Sequence, residues 1–472
     1  MVPSPRSAMN APARPAPVTP VAADAAALLR LALPILISQL AVMGLAVIDT
    51  VMTGQLSPVD LAGVALGGAI NASVFIGLIG VLRSLAPIAG HHYGAGREQE
   101  IGIDLGQALW LAAGMTLFGW PWLIFSDVWL QLAGAEPAVA HVARDYLRAA
   151  AVSLPALLAL RTFTALFAAL SRPKIAMIVN LGVLAGKVPF NMLFIRGAGP
   201  IPPLAGAGCG AATATLMWLA LLAIFLAWHF DPFYRRFRAP PSHPHRPIWS
   251  RQKELLKLGL PAGGTVLIEV TSFTLIAVLI ARLGAVTVAG HQIVANLVSV
   301  LFMVPLALGI ATTVLVAQCL GAGQSVTARR AALRGVRVTM SLAVAAASAL
   351  YLLRAPIVAA YTSSPAVVDF ALSLLGVAAV FHLCDALQGV TGSILRGYKI
   401  ALAPMLVHSV ALWGVGLGGG WWLAYHAPSW WHHEGAYSFW VAATVGLAIA
   451  ATALTVLAAL TARRHAGART RI

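Results

Sequence analysis

Residues 26–52 read AALLRLALPILISQLAVMGLAVIDTVM, and residues 255–282 read LLKLGLPAGGTVLIEVTSFTLIAVLIAR. Each run is long enough to cross a hydrocarbon layer of about 30 Å as a helix. Each carries Leu-Pro at a matching place, Leu33-Pro34 and Leu260-Pro261, which are 227 positions apart. Each also holds one carboxylate deep inside it, Asp49 in the first and Glu269 in the second. Two features therefore need an account: a chain that repeats itself, and acids placed in oil.

The rest of the chain has the same character. Of 472 residues, 60% are hydrophobic and 10% charged, with a mean hydropathy of +0.85. A soluble chain of this size carries charge on about a quarter of its residues, so a water-soluble core is excluded. Apolar runs of spanning length lie at 26–52, 61–89, 103–125, 143–169, 174–196, 206–229, 255–282, 288–319, 331–353, 367–394, 400–424 and 437–461. The fold class that follows is an all-α polytopic membrane protein of about 12 transmembrane helices.

The net charge of +16 could suggest nucleic acid, but the placement of the basic residues argues for a membrane. With both termini cytoplasmic, 23 of the 31 Lys and Arg fall in tails and inward connections, among them Arg172, Lys174, Arg235, Arg329, Arg396 and Lys399. Five fall at outward ends and three inside spans, at Arg83, Arg161 and Lys187. That is a strong positive-inside bias, and the inward charge faces anionic lipid headgroups. The expected location is the bacterial cell inner membrane, multi-pass, with membrane lipids as neighbours and no nucleic acid. Cys209, Cys319 and Cys384 show no CxxC spacing and read as small buried hydrophobes. No cleaved signal peptide is apparent in the Ala- and Pro-rich residues 1–22.

The 227-residue register holds over a long distance. Ala62-Gly63 recurs as Ala289-Gly290 and Gly94-Ala95-Gly96 as Gly321-Ala322-Gly323; Lys174-Ile175-Ala176 recurs as Lys399-Ile400-Ala401 after 225. The expected organisation is a disordered cytoplasmic tail 1–24, a six-helix lobe 25–230, a cytoplasmic linker 231–250, a second six-helix lobe 251–462 and a basic tail 463–472. Six is even, so both lobes enter the membrane in the same sense, related by a pseudo-two-fold axis along the membrane normal. Gly63-x-x-x-Gly67 and Gly206-x-x-x-Gly210 read as close-packing faces. The Trp421-Trp422 and Trp430-Trp431 cluster reads as an aromatic belt, and His432-His433-Glu434 as a wet polar loop rather than a metal site.

Ionisable groups deep in a bilayer are expensive and tend to be functional. Three carboxylates sit there: Asp49, Glu269 and Asp385. Their counterparts in the other half are apolar, Ile276, Val42 and Leu160, so the shared scaffold does not require them. The plainer alternative is a salt bridge that only fixes packing. Helical spacing places Thr265 and Ser272 beside Glu269, and steps of three join His382, Asp385 and Gln388. A buried carboxylate that takes and releases a proton, or ligates sodium, suits cation-coupled transport. With Arg83, Arg161 and Lys187 all in the first half, the free carboxylates are expected in the second. His382 reads either as a hydrogen-bonded interior histidine or as a proton relay.

Several stretches together resemble the multidrug and toxic compound extrusion (MATE) transporters, particularly the NorM-like branch. They are VIDTVMTGQLSPVDLAGVALGGAI (47–70), HHYGAGR (91–97), GAGCGAATA (206–214), LIEVTSF (267–273), VAGHQIVANLVSVLFMVPLALG (288–309) and CDALQGVTGSILRGYK (384–399). The resemblance covers about residues 25–460. It implies a V-shaped pair of lobes that rock between outward-open and inward-open states. It implies export of bulky, often cationic drugs or dyes in exchange for H+ or Na+, with no further cofactor, by a chain expected to be monomeric. Asp49 looks like the family's first-lobe acid, Glu269 and Asp385 like its paired second-lobe acids, and Arg161 falls at a family basic position. Two residues depart from the pattern: Arg83, and Lys187 in KVPFNMLF, where the family usually has Asn, while Asn191 is retained. The expectation is that Lys187 pairs with Asp49 as a tethered cation, leaving coupling and any sodium to Glu269 and Asp385; the alternative is that Lys187 itself titrates. A flippase of lipid-linked precursors is the runner-up function. The chain has no HExxH, GxSxG or Walker A sequence, which argues against an enzyme or an ATP-driven pump.

Overall fold

A computed structural model describes residues 24–200, 202–240, 246–426 and 435–467. The tail up to residue 23, residues 241–245 of the linker, the Trp430-Trp431 and His432-His433-Glu434 stretch, and the last five residues lie outside the described residues. Among the described residues there are twelve helices long and apolar enough to cross a membrane. They are α1 (Ala25–Gly54), α2 (Pro58–Gly94), α3 (Glu98–Ile124), α4 (Pro137–Ala169), α5 (Lys174–Arg196) and α6 (Ala205–Phe230). The second six are α7 (Trp249–Ala281), α8 (Ala285–Gly321), α9 (Ser325–Leu352), α10 (Pro365–Gly397), α11 (Leu402–Tyr425) and α12 (Ala436–Ala466). Large apolar side chains such as Leu117, Phe118 and Val410 face outward, as a lipid-facing belt does.

Local chemistry sets the helix ends. The Asp24 carboxylate accepts from the Ala27 N–H at 2.7 Å and starts α1. Ser57 caps α2, with Pro58 at its first position. Asp60 closes that cap through Ser57 and also accepts from the Gly206 N–H at 2.8 Å, tying the start of α2 to α6. Helix α2 breaks at Arg83–Ser84, where Pro87 has no N–H to give to the Arg83 carbonyl. Helix α11 widens to i→i+5 hydrogen bonding over Ser409–Gly419, a glycine-rich run.

The two lobes meet along a seam, and the seam obeys the sequence register. The end of the bundle that carries Arg97, Arg172, Arg235 and Lys399 is called the basic end here. There a methyl group on Gly94 would overlap the Gln318 carbonyl, and one on Gly321 would overlap the His91 carbonyl. His91 and Gln318 are equivalent positions, as are Gly94 and Gly321, so the contact is reciprocal, as a two-fold axis demands. The side chains repeat the exchange. Gln318 donates to the Ala169 carbonyl at 2.7 Å, and His91 Nε2 lies 3.0 Å from the Gly397 carbonyl. Each accepting carbonyl sits two residues before a positive-φ turn residue, Ser171 (φ 59°) or Lys399 (φ 60°). The repeated Gly-Ala-Gly motif is thus the place where the lobes interlock.

The seam climbs from there. Gly80 and Gly259 of the two lobes press on Gly263 and Val81, joining α2 to α7. The equivalent join of α1 to α8 packs Leu28, Leu31, Ala32 and Ile35 against Ala307, Leu308, Ala311 and Leu315. With no hydrophobic driving force between helices in lipid, close backbone approach at small residues supplies the attraction. Polar groups add to it at the basic end. Arg251 of α7 pairs with Glu100 and Asp104 of α3, and the Gln252 amide donates to the Gln107 carbonyl at 2.8 Å.

Candidate functional site

Two polar islands lie inside the bundle, one in each lobe, and they differ in kind. In the first lobe α1 brings Asp49 against Lys187 and Asn191 of α5. Lys187 Nζ lies 2.9 Å from Asp49 Oδ1, and it also donates to the Cys209 carbonyl at 3.1 Å and to Thr213 Oγ1 at 2.5 Å. An ammonium has three N–H donors, and all three are used. Asn191 donates to the same Asp49 oxygen at 2.8 Å. Lys187 is 1% exposed, so this is a buried ion pair whose charges answer each other. Lys187 and Asn191 are four residues apart on α5 and reach one carboxylate from one helix face.

In the second lobe Glu269 of α7 and Asp385 of α10 face one cavity of 470 Å3. The Gln388 amide joins them, with its Nε2 2.9 Å from Asp385 Oδ1 and 3.2 Å from Glu269 Oε1. Among the described residues neither carboxylate has a basic nitrogen within 4.0 Å. Phe273, Phe302, Phe381 and Trp440 line the same cavity, an apolar aromatic wall around two acids.

The structure divides the neighbours expected from helical spacing. Thr265 lines the cavity, but Ser272 turns to α11 and donates to the Leu412 carbonyl at 3.2 Å. Gln388 meets Asp385, whereas His382 is 1% exposed, packs away from the cavity and has no hydrogen-bond partner on either ring nitrogen. The histidine that joins the network is His408 of α11. Its Nε2 lies 2.7 Å from Gln388 Oε1 and its Nδ1 2.7 Å from the Pro404 carbonyl. With the Gln388 NH2 turned to the carboxylates, its oxygen faces His408, and both imidazole nitrogens face acceptors. In that orientation both ring nitrogens are placed as donors. With the amide turned over, its oxygen faces the acids and its NH2 faces His408 Nε2.

Counting charges by halves of the sequence also missed how the arginines are delivered. Arg83, from the first lobe, and Arg396, near the end of α10, line the same cavity as Glu269 and Asp385. Arg161 lies on α4 beside a second cavity between the lobes. Sequence spacing held no signal for His408, Thr213 or the Cys209 carbonyl, because each reaches its partner across helices. Arg396 belongs to α10 rather than to an inward connection, and its side chain reaches back into the bundle.

Twelve membrane-spanning helices, a reciprocal seam between the two halves of the sequence and two buried carboxylates facing one cavity define a polytopic membrane protein. The MatE family profile matches the chain twice, over residues 34–193 and 261–422, and the chain belongs to that family. A probable multidrug resistance protein NorM of Aromatoleum aromaticum is 39% identical over 444 residues, covering 93% of this chain and 94% of that protein. The multidrug resistance protein PmpM of Pseudomonas aeruginosa is 35% identical over 464 residues, covering 97% and 96%. Among solved structures the eukaryotic MATE transporter AtDTX14 superposes with a TM-score of 0.82 at 20% identity, covering 93% of this chain and 97% of that one. With these relatives, the twelve helices make it a multi-pass inner-membrane protein.

Proposed function

We propose that this chain is a secondary active multidrug efflux antiporter and not an enzyme. It exports bulky organic, often cationic compounds in exchange for H+ or Na+ as its lobes rock about the seam. The basic end is cytoplasmic, with both termini on that side, so the seam closes the cytoplasmic side in this arrangement. The observation that carries the reading is the contrast between the two islands. Asp49 already holds a tethered cation in Lys187, while Glu269 and Asp385, among the described residues, have no basic nitrogen within 4.0 Å and open to an aromatic-lined cavity. Two carboxylates bridged by one amide repel each other, and one cation between them removes that repulsion.

Gln388 transmits the change. When a proton or sodium reaches the acids, the amide oxygen turns toward them and its NH2 turns toward His408. The relatives' printed names, which speak of multidrug resistance, support small-molecule drugs or dyes as cargo, carried by a single chain with no cofactor beyond the coupling ion. Ethidium efflux from vesicles under separately imposed pH and sodium gradients tests this. Efflux should follow at least one gradient, and efflux indifferent to both refutes antiport.

A further inference from the structure

Between the lobes lies a second cavity, of 200 Å3, lined from both sides of the seam. Arg83 of α2, Arg161 of α4 and Arg396 of α10 all face it, and no aspartate or glutamate does. Its remaining polar lining is neutral: Ser38, Gln39, Thr164 and Thr313. Three guanidinium groups in one small apolar enclosure are costly in a bilayer. Most of their donors are unused. Arg161 Nε is buried with no hydrogen-bond partner, and among the described residues Arg83 makes no side-chain hydrogen bond and no ion pair within 4.0 Å, feeling Glu269 only at longer range. Arg396 spends one donor on Ser393 Oγ, at 2.6 Å.

A lipid-facing role does not explain these charges, because Arg83 and Arg161 point inward rather than to a headgroup layer. Pairing with Glu269 and Asp385 does not explain them either. Only Arg83 and Arg396 share the acids' cavity, neither is within 4.0 Å of a carboxylate, and Arg161 does not line it. What three converging forks match is a planar or tetrahedral anion, which takes two parallel N–H bonds from each guanidinium.

We propose that Arg83, Arg161 and Arg396 form a binding site for the anionic group, a carboxylate or a phosphate, of an amphiphilic molecule whose apolar body lies against Ile35, Val42, Leu82 and Ile310. The volume admits a compact aromatic acid or one phosphate headgroup. The site shares Arg83, Leu306 and Arg396 with the acid cavity. A bound anion therefore answers the charge of two guanidiniums that also line the cavity of Glu269 and Asp385. Zwitterionic cargo would then place its negative group here and its positive group toward the acids. This deepens the antiport reading and rests on it only for the claim that the bound molecule is exported.

The test is calorimetric titration of the full chain, in nanodiscs of phosphatidylcholine, with 1-naphthoate and with its cationic counterpart 1-naphthylmethylammonium. The wild type should bind 1-naphthoate, and Arg83→Gln and Arg161→Gln should each weaken it by about tenfold or more. Arg161→Lys, which keeps charge but not the fork, should fall between. Thermal unfolding should be unchanged or higher in the Gln variants, since each removes an unpartnered charge; a lower midpoint in both would mark a structural role and overturn the proposal. Phosphatidylglycerol in the nanodiscs distinguishes the sources. Displacement of 1-naphthoate by it assigns the site to a lipid phosphate, and no displacement assigns it to a soluble acid. No binding of 1-naphthoate in either nanodisc, or equal binding by Arg83→Gln/Arg161→Gln, overturns the site. Wild-type vesicles that bind 1-naphthoate but show no gradient-driven ethidium efflux would refute antiport and leave the site standing.

Discussion

Lys187 and Asp49 show what a single residue can settle. An ammonium with three acceptors around it is a fixed part of the first lobe, and removing one partner leaves the other charged and buried. Lys187→Met or Asp49→Asn alone should destabilise the protein by about 3–5 kcal/mol, while the double variant should recover much of that loss. Thermal or denaturant unfolding of the four species in detergent measures it, and additive losses would contradict a coupled pair. In the second lobe, His408→Phe removes the group that reads the Gln388 amide. Gradient-driven efflux should fall by about tenfold or more, with binding of ethidium affected less; unaltered efflux would exclude His408 from the relay. The acids themselves were legible in the sequence, because a carboxylate in an apolar run is conspicuous wherever it packs. His408 was not, since its significance lies in a 2.7 Å contact with a residue on another helix.

At the scale of the element, the twelve spans were readable from apolar runs alone, and half of the observed helices run past them by more than a turn at one end, where polar residues continue the helix beyond the apolar run. Helix α2 keeps one crossing to Gly94 although it breaks at Arg83–Ser84, where Pro87 interrupts the hydrogen bonding. Composition could not show the widened turn of α11, which depends on how its glycines pack beside α12. Gly80 makes an element-scale prediction. Gly80→Val drives two methyl groups into Gly263, and overpacking of this kind costs about 1–3 kcal/mol. That penalty falls only on the arrangement in which α2 and α7 touch, so it should shift the closed basic end toward an open one by roughly tenfold. Spin labels at Arg97→Cys and Gln324→Cys, which are exposed on opposite lobes, measure the distance across that end. The variant should lengthen it, and an unchanged distribution would contradict the seam.

For the whole molecule, the 227-residue register that appears in Leu33-Pro34 and Leu260-Pro261 becomes a two-fold seam, with His91 and Gln318 exchanging equivalent contacts. The scaffold is symmetric and its chemistry is not. One lobe keeps its acid neutralised by a tethered lysine; the other keeps two acids beside an open cavity. The sequence revealed that asymmetry by setting each acid against an apolar counterpart. It misplaced the arginines, because membership of a half does not say which cavity a long side chain enters. The most direct measurement is ethidium efflux from proteoliposomes with Glu269→Gln and Asp385→Asn combined, under an imposed pH or sodium gradient. Efflux should lose its dependence on the gradient while the protein stays folded, and gradient-driven efflux equal to that of the unaltered chain would contradict the account.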